Sequence, residues 1–551
     1  MKNRTLNIVL GQINPFVANI EYNLSKIIEI IKSNQNSDLI IFPEMALTGY
    51  PLMDHILDPL IRTRNREALK TIKHINSKPT IILGTFTEPP ELQEKIQRFY
   101  NSAIIIEGER IVHIENKRLL PNYDVFDERR YFSFDNKFKP IEVKNINIGI
   151  LICEDLWDQN YEIKVAEQLV NNDADALVVI NASPYHISKF ERRKKIVSDK
   201  SKKYNVPIVY VNMVGGVDEI VYDGQSFITN RFGQIIFKAS AFSEDFPAIR
   251  LDLNAKSQIQ DTDNKLDWRE EVVEALVLNL KDYFHKTAIF DGVVLGLSGG
   301  IDSAFTSYIC SKALGPEKVT NIMMPTKFTS QESLDLARKL CENLESNYII
   351  HPIDHIFENF ESNLQKELGN IPFDVADENL QARIRANILM YYSNKFNWLL
   401  ISTGNKSEIG VGYCTLYGDT CGGKNVPGDL LKVQIYEICE WINRYEEIIP
   451  EKIISRPPTA ELRENQKDSD SLPPYKILDQ ILQAIINYGI GNEEQYLDSK
   501  IENSTLNKIR RLYLNAEFKR RQLVQSIKVS SSAFGIGRRY PVLKKINLPN
   551  E

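Results

Sequence analysis

Two spacings of apolar residues alternate along the chain. Ile20, Leu24, Ile27, Ile28 and Ile31 recur at the helical period, with charged and polar residues between them, which predicts an amphipathic helix. Short unbroken apolar runs follow: Leu39–Phe42, Thr80–Leu83, Ala103–Ile106, Ile148–Ile152, Ala176–Ile180 and Ile208–Val211. Runs of this length between polar segments predict strands covered on both faces. Their ends carry the interest. Phe42 leads into Pro43-Glu44, Ile152 into Cys153, and Ile180 into Asn181-Ala182-Ser183. Polar groups at strand ends are where an α/β sheet builds its sites.

From Asp252 to about Lys265 the pattern lapses into polar residues, and an inter-domain joint is expected there. The division expected is a first domain over 1–255, a linker over 256–266 and a second domain over 267–551. A long helical pattern starts near Trp268. Then Val293–Leu297 reads as a strand feeding a glycine turn and a further helix, with more strands at Val319–Met323 and Trp398–Ser402. A chain of 551 residues has room for two such cores.

Composition narrows the class. With 67 basic and 73 acidic side chains the net charge is −6, so no overall basic field favours nucleic acid. No apolar run approaches the roughly 20 residues a membrane helix needs. The N-terminal residues run straight into a strand-like segment, so no signal peptide is expected. The six cysteines form no CxxC pair and the seven histidines no zinc spacing. A reducing, cytoplasmic setting is expected.

Cys153 ends a strand and is followed at once by Glu154 and Asp155, whose charges oppose formation of a thiolate. A nucleophilic cysteine needs a base and a cation or donor for the oxyanion. Glu44, in Phe42-Pro43-Glu44-Met45-Ala46-Leu47-Thr48-Gly49-Tyr50, and Lys117, in Asn116-Lys117-Arg118-Leu119-Leu120-Pro121, are the candidates. Singly each residue is commonplace: a loop acid, a surface lysine, a buried small hydrophobe. With their surroundings and in this order, residues 5–250 resemble the nitrilase, or carbon–nitrogen hydrolase, superfamily. The resemblance implies an α-β-β-α sandwich with Cys153 as nucleophile, Glu44 as general base and Lys117 stabilising the tetrahedral intermediate. Glu128 would be a second acid orienting the lysine, and Glu154 and Asp155 are tolerable if they point away. Asn181-Ala182-Ser183-Pro184-Tyr185-His186 with Lys189 is similar to the glutamine-amidase branch, where Tyr123, Ser183 and Lys189 would hold the substrate's α-amino and carboxylate ends.

The second motif is Gly296-Leu297-Ser298-Gly299-Gly300-Ile301-Asp302-Ser303, after a strand and opening a helix. Paired glycines let the backbone approach an anion, and a helix start offers free N–H groups. A Walker A loop would need a lysine, and none stands here. The pattern resembles the pyrophosphate loop of ATP pyrophosphatases, on a doubly wound, Rossmann-like parallel sheet. Ser298, Gly299, Gly300 and Ser303 would then cradle phosphates and Asp302 would hold Mg²⁺. Glu378-Asn379-Leu380-Gln381-Ala382-Arg383, Thr403-Gly404-Asn405-Lys406-Ser407-Glu408, Gly412–Asp419 and Lys519-Arg520-Arg521-Gln522 extend the likeness to the NAD synthetase family over about 270–540. That family implies ATP contact at Thr403, metal and dinucleotide contact at Glu408, and deamido-NAD contact at Asn379 and Lys519. After KRRQ the family usually has a Pro-Pro-Gly-like turn, whereas this chain has Leu523-Val524-Gln525-Ser526.

Together the two resemblances imply amidation of deamido-NAD to NAD. ATP would form an adenylate with release of PPi, and ammonia from L-glutamine would displace AMP. An ammonia tunnel and a homo-oligomer formed through the synthetase domain are expected with it. Two other readings are an enzyme amidating a different carboxylate, and a nitrogen-sensing or scaffolding protein. The latter would have lost a member of the triad or of the phosphate loop, and none is lost here.

Overall fold

The computed structural model describes residues 4–89, 99–254, 266–369, 371–546 and 548. The chain forms two compact units, Met1–Leu266 and Asp267–Glu551. The expected linker, 256–266, lies outside the described residues except for Leu266.

The first unit holds two six-stranded sheets. One runs in the order β14-β1-β2-β3-β4-β5, from β1 (Thr5–Leu10), β2 (Leu39–Ile41), β3 (Ser77–Thr87), β4 (Tyr100–Gly108), β5 (Arg110–Asn116) and β14 (Ala248–Asp252). The other runs β13-β12-β9-β8-β7-β6, from β6 (Ile141–Val143), β7 (Ile146–Ile152), β8 (Ala176–Asn181), β9 (Ile208–Asn212), β12 (Phe227–Thr229) and β13 (Ile235–Lys238). A ribbon of β10 (Val214–Val217) and β11 (Ile220–Asp223) stands apart from both.

Side chains alternate along each strand, and this puts every central strand in two cores. Leu6, Ile8 and Leu10 of β1 meet Ile148, Ile150 and Ile152 of β7 between the sheets. Val9, Ile40, Ile81 and Ile104 face the other way, toward Ile20, Ile27, Ile31 and Ile72 of the helices Ile20–Ser33 and Pro59–Lys73. Leu151, Leu177 and Tyr210 likewise meet Leu169 and Val197 of the helices Val165–Asn171 and Lys189–Tyr204. The four layers are the expected α-β-β-α sandwich. Burial on both faces is why these strands read as unbroken apolar runs.

Some local detail differs from the expectation. The first helix buries Ile30 and Asn23, whereas Leu24 and Ile28 are only partly covered. Asn23 is buried because its amide bonds the loops: Nδ2 donates to Phe16 O (2.8 Å) and Leu47 O (3.1 Å), and Oδ1 accepts Phe16 N (2.9 Å). The run Thr80–Leu83 is the centre of a strand of 11 residues, extended because β3 pairs with β4 as far as Thr87↔Tyr100.

The second unit has a five-stranded parallel sheet, β17-β16-β15-β18-β19, from β15 (Gly292–Gly296), β16 (Val319–Met323), β17 (Asn347–Ile350), β18 (Trp398–Ser402) and β19 (Lys424–Asn425). Counted within the unit the order is 3-2-1-4-5, a doubly wound sheet whose direction of winding reverses between β15 and β18. The crevice beyond the carboxyl ends of those two strands is where such sheets bind ligands. The Glu378–Arg383 motif lies near the start of the helix Val375–Phe396, which Asp374 caps. No helix among the described residues is long and apolar enough to cross a membrane.

Candidate functional site

Four strand ends meet in the first unit. Glu44 follows β2, Lys117 follows β5, Cys153 follows β7 and Ala182 follows β8. Lys117 is wholly buried, and its Nζ donates to Glu44 Oε1 (2.7 Å) and Glu128 Oε1 (2.8 Å). Glu44 is held from two further sides, by Asn101 Nδ2 on Oε1 (2.7 Å) and by the Ala182 N–H on Oε2 (2.8 Å). Tyr50 OH donates to Glu128 (3.0 Å). The Glu44 loop can sit this close to β3 only because residue 84 is glycine. A Cβ there would meet Pro43 O at 2.1 Å and Glu44 Cα at 2.7 Å.

Burial alone would discharge Lys117, but Glu128 and Glu44 more than offset it and hold its pKa well above the ordinary lysine range. Burial pushes the Cys153 thiol well up; Glu44 adds to this and Lys117 opposes it. Burial also raises Glu128, to about 7. Cys153 itself has a φ of +47°, a left-handed conformation uncommon for a residue with a side chain.

The two acids after the cysteine have other partners, although Glu154 still adds to the rise in the thiol pKa. Glu154 accepts Tyr123 OH (2.9 Å) and Tyr161 OH (3.0 Å). Asp155 is taken up by backbone N–H groups. Of the three residues expected to hold glutamine, Tyr123 is half exposed, while Ser183 is buried and its Oγ accepts Arg193 Nε (3.2 Å). Lys189 opens its helix with Nζ 4.3 Å from the centre of the Trp157 ring. Burial, then Arg193 and Arg192, lower its pKa to about 8. Lys189 and Tyr123 both act electrostatically on Glu154, so these groups share one neighbourhood. Glu154 was not among the substrate residues expected, since an acid beside a nucleophile reads first as an obstacle to it.

In the second unit a cavity of about 330 Å³ opens beyond β15 and β18. Gly296, Leu297, Ser298, Gly300, Ile301, Asp302, Ser303, Thr403 and Glu408 all line it. Gly299 shapes the loop from behind, with φ +79° and no room for a Cβ, which would meet Ser333 O at 2.4 Å. Ser298 Oγ accepts the Gly300 N–H (3.1 Å), and Gly300 caps the helix Ile301–Leu314. Arg456, absent from the expected set, donates to Gly299 O and to Ser333 Oγ (2.8 Å).

Lys432, also absent from that set, joins the two expected metal ligands. Its Nζ contacts Asp302 Oδ2 and lies 3.4 Å from Glu408 Oε1, while Asn405 Nδ2 donates to Asp302 Oδ1 (3.0 Å). Burial opposes its charge, yet Asp302 and Glu408 hold its pKa above the usual lysine range. Burial raises Glu408 to about 8, Lys432 opposing. A cation thus already sits between these carboxylates, whose oxygens are of the hard kind that Mg²⁺ takes.

Asn379 and Lys519 do not line the cavity. Asn379 Oδ1 accepts Thr415 Oγ1 (2.6 Å), and Lys519 Nζ donates to Gly412 O (2.8 Å) and Cys414 O (2.7 Å), so both hold the 412–420 loop, whose Tyr413, Cys414 and Asp419 face it. In place of the family's turn after KRRQ, Leu523 and Val524 line the cavity. The tail then runs beside β19, with Asn425 N donating to Gln525 O (2.9 Å) and Ile527 N to Asn425 O (3.2 Å).

Comparison with known proteins covers both units. Residues 8–260 match the carbon–nitrogen hydrolase family and residues 272–523 the NAD synthase family. The chain is 40% identical over 548 residues to the glutamine-dependent NAD(+) synthetase of Synechocystis sp., covering 97% of this chain and 98% of that one. It is 37% identical over 586 residues to that of Thermotoga maritima, covering 99% and 100%. The solved structure of the glutamine-dependent NAD+ synthetase from Acinetobacter baumannii in complex with adenosine diphosphate matches with 36% identity and a TM-score of 0.78, over 98% of both chains. With both units matched at nearly full length, the chain belongs to the glutamine-dependent NAD(+) synthetase family, ligases that take their amido group from glutamine.

Proposed function

We propose that Glu44, Lys117 and Cys153 hydrolyse L-glutamine and that the ammonia amidates deamido-NAD through an adenylate at the 296–303 loop. The observation that carries the first half is the buried Lys117, bonded to Glu44 and Glu128 and within electrostatic reach of Cys153. As Cys153 Sγ adds to the amide carbon, Glu44 takes its proton and Lys117 donates to the oxygen that gains charge. Glu44 returns the proton to the departing nitrogen, NH₃ leaves, and water cleaves the thioester to glutamate. Glu154 and Lys189 supply opposite charges near the nucleophile, Glu154 for the α-ammonium of glutamine and Lys189 for its α-carboxylate, with Tyr123 and Ser183 as further polar contacts.

In the second unit the N–H groups at Ser298–Ser303 and the start of the helix receive the phosphates of ATP, with Thr403 also lining the cavity. Asp302 and Glu408 would hold Mg²⁺, which when bound offsets the charge of the phosphates. The nicotinate carboxylate displaces PPi from the α-phosphorus, and ammonia then displaces AMP. Asn379 and Lys519 serve the dinucleotide side by holding the 412–420 loop. The expected cytoplasmic setting belongs to this reading.

A homo-oligomer through the second unit fits an apolar strip on its surface. Phe360, Leu364 and Leu368 repeat every four residues along the helix Asp354–Leu368 and are exposed, as are Tyr391 and Phe396 on the neighbouring helix Val375–Phe396.

The test is product formation from deamido-NAD, ATP and Mg²⁺ with glutamine or ammonium as donor. NAD, AMP and PPi in equal amounts from either donor support the reading. Glutamate without NAD would sink its second half.

A further inference from the structure

Asp155 has no part in the chemistry proposed above, yet it is fully buried beside the nucleophile. Its Oδ1 accepts the backbone N–H groups of Arg118 (2.9 Å) and Leu119 (2.8 Å), the two residues after Lys117. Its Oδ2 accepts the N–H of Ile152 (3.1 Å), the residue before Cys153. One side chain thereby ties the segment carrying the lysine to the segment carrying the cysteine, although β5 and β7 belong to different sheets. The Arg118 guanidinium stands behind it at 3.9 Å, itself paired with Glu115 and donating through Nε to Lys137 O (2.9 Å).

Two features make such a tie matter. Cys153 holds a left-handed backbone conformation, which a residue with a side chain keeps only where its surroundings over-determine it. Lys117 and Cys153 also come from different strand ends, so their separation is set by how the two loops are joined. No regular ladder couples β5 to β7, while Asp155 bonds both loops directly.

We propose that Asp155 is a positioning residue for glutamine hydrolysis, its carboxylate holding Lys117 and Cys153 in register by binding the backbone of both segments. This rests on the Glu44–Lys117–Cys153 reading. An amide in its place keeps the size but cannot accept at both positions. Its NH₂ must face either Ile152 N–H or the N–H pair of Arg118 and Leu119.

The experiment compares Asp155→Asn with the parent protein at full length. A misplacement of about 1 Å between reacting groups costs about a hundredfold in rate. The expected result is therefore a fall in kcat for glutamine hydrolysis of about ten- to a hundredfold, KM for glutamine within about threefold, and slower alkylation of Cys153 by iodoacetamide. Ammonium-driven NAD synthesis stays unchanged. Asp155→Ser, which removes the carboxylate without turning an NH₂ toward Ile152, should show the same split if the amide variant does not fold. A lower Tm with kcat per folded molecule unchanged, in either variant, overturns the proposal. So does Arg118→Gln matching the kcat loss of Asp155→Asn, because Arg118→Gln spares the three backbone donors and removes only the guanidinium. Undiminished glutamine hydrolysis by Cys153→Ala would instead overturn the underlying reading.

Discussion

Lys117 Nζ lies 2.7 Å from Glu44 Oε1 with both side chains out of solvent. Breaking this pair therefore bears on stability as well as on the proposed chemistry. Removing one partner of a buried ion pair leaves the other charge uncompensated, at about 3–5 kcal/mol. Lys117→Met strands Glu44 and Glu128 together and should both abolish glutamine hydrolysis and lower the Tm of the first unit. Adding Glu128→Gln should restore part of the Tm and none of the activity. Calorimetry beside a glutaminase assay separates the two effects.

Cys153→Ala is expected to cut glutamine-driven NAD synthesis by roughly 10³-fold or more, as loss of a nucleophile does. Synthesis from added ammonium should remain. Loss of both activities would count against a division of labour between the units.

Gly84→Ala tests the packing that seats Glu44. The added methyl would meet backbone atoms of Pro43 and Glu44, which cannot yield as a flexible side chain would. Glutamine hydrolysis should fall about a hundredfold, with ammonium-driven synthesis intact. A crystal structure of the variant should show the 43–45 loop displaced from β3.

Gly299→Ala and Lys432→Met address the other unit. The first forces a side chain into a left-handed position against Ser333 O, and the second removes the cation between Asp302 and Glu408. Each should cut synthesis from both nitrogen donors by about a hundredfold or more and leave glutamine hydrolysis unaffected. Retained ammonium-driven synthesis in Gly299→Ala would argue against the phosphate loop.

Lys189 gives a pH dependence with a definite sign. Burial, with Arg193 and Arg192, lowers its pKa to about 8, so it is charged below that pH and neutral above it. If it binds the carboxylate of glutamine, KM for glutamine should rise as pH passes upward through about 8, with kcat little changed. Lys189→Arg should abolish that rise, since arginine keeps its proton. A KM independent of pH from 7 to 9 in the parent protein would refute the assignment.

How far the chain can be read in one dimension depends on where each signal resides. Strands buried on both faces announce themselves as apolar runs, so β7, β8 and β9 are visible. Edge strands do not: β5 mixes exposed and buried residues, and nothing in Arg110–Asn116 marks it. The glycine loop 296–303 is legible because glycine, serine and the start of a helix occupy consecutive positions. Lys432 is illegible because it sits 130 residues from Asp302, in a helix start with no chemistry of its own. Gly84 reads as a weak spot in a strand until the Glu44 loop is placed against it.

The sequence by itself determined the two α/β units, the strand ends on which Glu44 and Cys153 stand, and the glycine loop that opens a helix. These follow from local periodicity and from motifs complete within a few residues. The tertiary structure alone decided which charges meet. It turned Glu154 toward two tyrosines, gave Asp155 to the backbone of two loops and put Lys432 between Asp302 and Glu408. Burial and the distance between groups far apart in the chain control these electrostatic relations, and neither exists until the sheets have packed.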